Sequence, residues 1–162
     1  MSLHLPNGRW VVWLSFLLAM LFQIMPLPEG VAVWRPDWLL LVMTYWAMAL
    51  PHRYNILTAW VLGLLLDILL GATLGIRSLG MSIVIYGVVL HFQRLRNFPI
   101  WQQSLFVAAE VAVYQLIVFW LQFVVDGAKF ELSLLFPAVS SLFLWVWVFW
   151  ILRRMRRKYK VR

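Results

Sequence analysis

The sequence predicts an all-α integral membrane protein, a single domain over residues 1–162 built as a bundle of six transmembrane helices. Three observations predict it. Hydrophobic residues make up 64% of the chain and charged residues 12%, the latter about half the share of a soluble domain. The apolar residues fall into long runs separated by proline, glycine and charge. Basic residues are concentrated: of 14 Lys and Arg, seven lie in the last ten positions, as on a cytoplasmic tail. There is no cysteine, which excludes disulfides, thiolate zinc sites and thiol catalysis.

The first apolar segment is 10–25, followed by Pro26, Pro28 and Gly30. No small-residue cleavage site follows it, so a retained span is expected, not a removed signal peptide. The second, 37–50, ends at Pro51 and is short of the ~20 residues that cross a bilayer, so it is expected either to tilt little or to be partly shielded by neighbours. The third and fourth, 55–71 and 76–93, are joined by a turn bracketed by Gly71 and Gly75. The fifth, 99–125, opens on Pro99 and is long enough to tilt or to extend into water. The sixth, 137–152, opens on Pro137 and leads into the basic tail 153–162. An even number of crossings puts both termini on one side. With the tail cytoplasmic, 11 basic residues lie inside and only Arg35, Arg77 and Lys129 outside, in agreement with the positive-inside rule. No loop is long enough to make a soluble domain, so any function rests on side chains in the membrane, on short loops, or on holding a partner.

Two acids inside apolar runs are the main candidates. Gly63, Asp67 and Gly71 are spaced i, i+4, i+8 and share one helical face. The glycines admit a close backbone, which turns the acid toward protein. Asp costs ~3 kcal/mol at a membrane helix centre, and less about one turn from the end. Asp67 is read as a structural acid satisfied by Arg77, Thr73, Ser78 or a free main-chain amide at the turn. It is read alternatively as a partner- or ligand-contacting acid, or as a proton relay. Glu110 lies near the middle of the fifth segment, and Gln103, Glu110 and Tyr114 form one polar face there. Ser104, Gln115 and Gln122 form a second stripe. The first face is read either as interhelical hydrogen bonding or as a docking face or polar cavity. His52 and His91 lack metal-ligand spacing, and the eleven tryptophans, with the run WVWVFW, suit an interfacial belt and packing. No Ser-His-Asp set, phosphate-binding loop, HExxH or paired-carboxylate site is present. Neither enzyme activity nor a cofactor is expected.

The stretches RWVVWLSFLLAMLFQIMPLPE, RPDWLLLVMTYWAMALPHRYN and above all GLLLDILLGATLGIRSLGMS, with FQRLRN and WQQSL, resemble the MreD family of bacterial rod shape-determining proteins over nearly the whole chain. The resemblance implies a non-enzymatic inner-membrane component of the cell-elongation machinery that inserts peptidoglycan along the side wall. It implies association with the single-span protein MreC, and through it with MreB, RodA and a class B penicillin-binding transpeptidase. It also implies a fold similar to the substrate-binding subunits of energy-coupling-factor transporters. Gly63, Asp67, Gly71, Leu74 and Gly75 are the family motif as it stands in this sequence, and Glu110 belongs to none. On this reading the Gly63/Asp67/Gly71 face, with Arg77, shapes or lines the partner surface near the outer leaflet. The competing class is a small-molecule-binding membrane subunit of a transporter, with a polar outer cavity lined by Asp67 and Arg77.

Overall fold

A computed structural model describes residues 8–127 and 129–159. The last three residues of the expected tail lie outside this range. Among the described residues every regular element is helical: α1 Arg9–Ile24, α2 Glu29–Ala32, α3 Trp38–Ala49, α4 Ile56–Leu70, α5 Ile76–Leu90, α6 Phe92–Asn97, α7 Ile100–Asp126 and α8 Phe136–Lys158, the last preceded by a 3-10 turn Leu132–Leu135.

Local chemistry sets most of these limits. Met25 is extended, as a residue before proline must be, and α1 stops there. The Asn55 side chain accepts from the Leu57 amide at 3.1 Å and starts α4. At the end of α4 the Ala72 amide donates to the Asp67 carbonyl at 3.0 Å and the Gly71 amide to Ile68 at 3.2 Å. That pair is a Schellman closure, which needs the left-handed φ of 67° that Gly71 adopts. Gly75 then takes φ 98° at the mouth of α5. Two positive-φ glycines in five residues thus reverse the chain with no side-chain strain. Two limits fall where no breaker stands. The run expected as one helix over 76–93 breaks at His91 into α5 and α6, and α8 continues through Arg153–Lys158, so that much of the basic tail is helical.

α3 occupies the middle of the bundle and packs against α1, α5, α6, α7 and α8, while α4 lies outside against α5 and α7 pairs with α8. Leu39 to Ala49 are all buried. A helix that is apolar all round has no solvent face to present and is stable only when enclosed. The other helices show two apolar faces of different kinds. On α1 Val11, Val12, Phe16 and Ala19 are buried, whereas Trp13, Leu17 and Leu21 are exposed at 51–54%. The outward face is as oily as the inward one, which suits lipid and not water.

Two helical stretches, Ile100–Asp126 and Leu132–Lys158, are long and apolar enough to cross a membrane; four apolar helices of 12 to 16 residues, α1, α3, α4 and α5, are shorter. At 1.5 Å per residue, twelve residues reach only ~18 Å of a ~30 Å core. The enclosure of α3 accounts for its length, since a helix wrapped in protein need not match the hydrocarbon.

α4 and α5 are pressed together at Gly63, where an added Cβ would stand 2.4 Å from the Ser78 Cα. Gly63→Ala is therefore expected to force the helices apart and lower thermal stability by about 1–3 kcal/mol. Gly87→Ala, in α5 with nothing within 4 Å of its added Cβ, is the matched control and is expected to melt like the parent. Detergent-solubilised thermal unfolding of both variants checks this.

Candidate functional site

The GLLLDILLGATLG segment acts on its own hairpin. Asp67 has 0% exposure. Its carboxylate accepts from the Gly75 amide at 3.1 Å through Oδ2 and from the Arg77 amide at 3.4 Å through Oδ1. Gly75 is the N-cap of α5 and has no side chain to offer. A carboxylate from the previous helix supplies the missing acceptor, and its charge sits at the positive end of the α5 dipole. Of the partners considered from sequence, the main-chain amide is the one the geometry selects: Arg77 meets Asp67 through its backbone N–H. The Arg77 guanidinium turns elsewhere, with Nη1 buried and without a hydrogen-bond partner among the described residues. Ser78 donates instead to the Gly75 carbonyl at 3.3 Å. Leu74, the remaining motif residue, projects outward at 63% exposure.

The second candidate face lies on α7. Gln103, Glu110 and Tyr114 are all buried, at 4%, 6% and 3% exposure, and point into the bundle. The Gln103 amide donates to the Leu95 carbonyl at 2.7 Å and its oxygen accepts from the Trp145 indole at 3.4 Å, tying α6, α7 and α8 together. Glu110 meets Thr44 of α3, with Oγ1 2.9 and 3.1 Å from its two carboxyl oxygens. The Thr44 hydroxyl also lies 2.7 Å from the Leu40 carbonyl. One hydroxyl hydrogen cannot serve both acceptors. The hydroxyl therefore donates either to the Glu110 carboxyl across the α3–α7 contact or back to Leu40 in its own helix. Tyr114 is the wall that Gly80 of α5 approaches, 3.2 Å from where a Cβ would stand. The second stripe does not act as a unit. Ser104 bonds back to Ile100 at 3.0 Å, and Gln115 donates to Asp37 at 2.7 Å.

Several residues that matter were not singled out from sequence. Asp37, buried at 7%, joins the start of α3 to α7 through Gln115. Arg35 donates to the carbonyls of Gln23 and Met25 at the end of α1. Arg96 donates through Nε to Met48 at 2.8 Å and through Nη2 to Ala49, closing the end of α3. Only Thr44, a lone hydroxyl in an apolar run, carried a visible signal.

Among the described residues no group of three or more His, Asp and Glu is placed to hold a metal ion. Asp67 is bound to α5 amides and Glu110 to a hydroxyl of α3, so each acid has its own partners in the fold. What this arrangement does chemically is to lock helices together.

The family model described as rod shape-determining protein MreD matches residues 6–155. The chain belongs to the MreD family. The rod shape-determining protein MreD of Haemophilus influenzae is 36% identical over 154 residues, covering 94% of this chain and 95% of that one. No solved structure matches significantly. Family membership together with the two long apolar helices makes this a membrane protein of the shape-determining class.

Asp67→Ala leaves the Gly75 and Arg77 amides without an acceptor, at a cost of about 1–3 kcal/mol. Asp67→Asn restores one acceptor but sets a donor against the second amide, so thermal unfolding in detergent is expected to rank parent, Asn, Ala. At Glu110 the order differs: Glu110→Gln keeps both a donor and an acceptor for Thr44 and is expected to melt within ~0.5 kcal/mol of the parent, while Glu110→Ala loses about 1–3 kcal/mol. A Gln variant as unstable as Ala would contradict the Thr44 hydrogen bond as the source of that stability.

Proposed function

We propose that the protein is a non-enzymatic membrane scaffold of the cell-elongation complex. It binds the single-span protein MreC and through it helps organise MreB, RodA and a class B transpeptidase for lateral-wall peptidoglycan synthesis. Membership of the rod shape-determining family is the observation that carries this reading. In the proposed arrangement the bundle crosses the inner membrane six times, with both termini cytoplasmic. The long helices α7 and α8 cross outright, and the shorter α1, α3, α4 and α5 complete the set. Apolar side chains on the outer faces of α1, α4 and α5, such as Leu17, Ile68 and Ile83, support lipid around those helices.

The surface also offers a place for a partner helix. An apolar groove of about 150 Å³ runs between α1 and α8 over α3, with Leu18, Ala19, Phe22, Val42, Ile151 and Met155 along it. Its small residues Ser15 and Ala19 are spaced i, i+4 on α1, the kind of strip against which membrane helices approach closely. Association in lipid gains nothing from hydrophobicity alone, so shape at such a groove decides affinity. The motif Gly63, Asp67, Gly71, Leu74, Gly75 and Arg77 enters as a structure-determining element. By fixing α4 on α5 it sets the outline that a partner meets, with Leu74 as its exposed side chain.

Leu18 and Ile151 are exposed at 43% and 47%, so tryptophan there fills the groove without entering the core. Leu18→Trp/Ile151→Trp is expected to abolish co-purification of MreC and to turn rods into rounded cells at normal protein level. Ile83→Trp, on the outer face of α5, is expected to leave both unchanged. Asp67→Leu is expected to weaken the same co-purification through the hairpin. Full MreC recovery and rod shape in the groove variant would overturn the assignment.

A further inference from the structure

A cavity of about 370 Å³ opens where α3 ends, between α6, the start of α7 and the last turns of α8, and is lined by Tyr45, Met48, Arg96, Phe149, Arg153 and Arg156, with Ala49 and Gln103 completing its wall. Three guanidinium groups converge on it, and no carboxylate is among its lining residues. Like charges gathered in a partly enclosed space repel unless an anion joins them. Among the described residues none of the three is paired with an acid. Arg96 is held by the main-chain carbonyls of Met48 and Ala49. Arg153 lies 5.9 Å from the centre of the Phe149 ring, itself packed edge-on against Tyr45 at 5.6 Å.

The basic end of α8 borders two grooves, with Arg156 in the first alone, Arg154 and Arg157 in the second alone, and Arg153 between them. Phe149, Arg153 and Arg156 follow i, i+4, i+7 spacing and face the cavity. Trp150, Arg154 and Arg157 follow the same spacing one residue on and line a second groove, which Arg153 borders as well. Arg154 stacks over Trp150 at 5.4 Å there.

We propose that the first cavity is a binding site for the phosphate of an anionic membrane phospholipid. Guanidinium forks match phosphate oxygens in pairs. The site lies at the ends of apolar helices, at the level where headgroups sit in a bilayer. Its apolar wall of Met48, Tyr45 and Phe149 suits the glycerol and upper acyl carbons behind a phosphate. Its volume lies within the range of sites that enclose small ligands. Occupation joins α3, α6 and α8 through one anion and relieves the repulsion among the three arginines. The assignment requires only a membrane-embedded bundle and does not involve MreC, so it stands or falls separately from the scaffold reading.

The test uses the full chain in vesicles of phosphatidylcholine alone or mixed with phosphatidylglycerol, followed by extraction and native mass spectrometry of the retained lipid. The parent is expected to retain phosphatidylglycerol and to melt higher in the mixed vesicles. Arg153→Gln/Arg156→Gln is expected to lower that retention by about tenfold or more, with Arg96 left in place because it closes α3. Arg154→Gln/Arg157→Gln, which removes equal charge from the second groove, is expected to retain the lipid as the parent does. Equal loss in both double variants would overturn the proposal in favour of diffuse surface charge. No retention by the parent, or its displacement by inorganic phosphate, would also overturn it, the latter by pointing to a soluble anion. If the cavity variant does not fold, absence of a phosphatidylglycerol-dependent melting shift in the parent decides against the site.

Discussion

Helix ends inside an apolar body are what this fold must solve, because each leaves main-chain groups that neither lipid nor an oily core can satisfy. Three ends are closed by a charged side chain from another element. Asp67 closes the start of α5, Arg96 the end of α3, and Arg35 the end of α1. In each case the sign of the charge opposes the helix dipole. The ionisable groups that look out of place in an apolar chain are thus the groups that let short helices end within it. Asp67 contributes twice, since its carbonyl also accepts the Schellman bond from Ala72. One residue both terminates α4 and starts α5.

The hairpin so formed places the rest. Gly63 lets the Ser78 backbone come close, which brings α5 into position against α3 and α7. Gly80 then meets Tyr114, and the same buried face of α7 carries Glu110 to Thr44 and Gln103 to Trp145. Polar contacts therefore run through the interior from hairpin to hairpin, while the outer faces remain apolar. The polar groups named here are committed to holding helices together.

Features governed by neighbours in sequence were legible. Gly71 and Gly75 announced the α4–α5 turn, and the spacing of Gln103, Glu110 and Tyr114 put them on one face that the bundle buries. The short second segment left two options, little tilt or shelter by neighbours, and α3 is the enclosed helix. Contacts between distant residues were not legible. Thr44 and Glu110 are 66 positions apart, Asp37 and Gln115 are 78 apart, and Arg96 reaches back 48 to Met48. Nothing local marks Arg96 as a cap; in sequence it is one more basic residue beside a span. The break at His91 has neither proline nor glycine to betray it. Arginine is a good helix former, so the extension of α8 into the basic run follows from propensity, while the division of that run between two grooves appears only when α3 and α6 are set beside it.

The central claim is that a buried carboxylate on one helix holds the first amides of the next. Residue-resolved amide hydrogen exchange at Gly75 and Arg77 reads that contact directly. The account expects both amides to be protected in the parent and to exchange much faster in Asp67→Ala, with the middle of α7 unchanged. Equal protection at Gly75 and Arg77 with and without the carboxylate would contradict it.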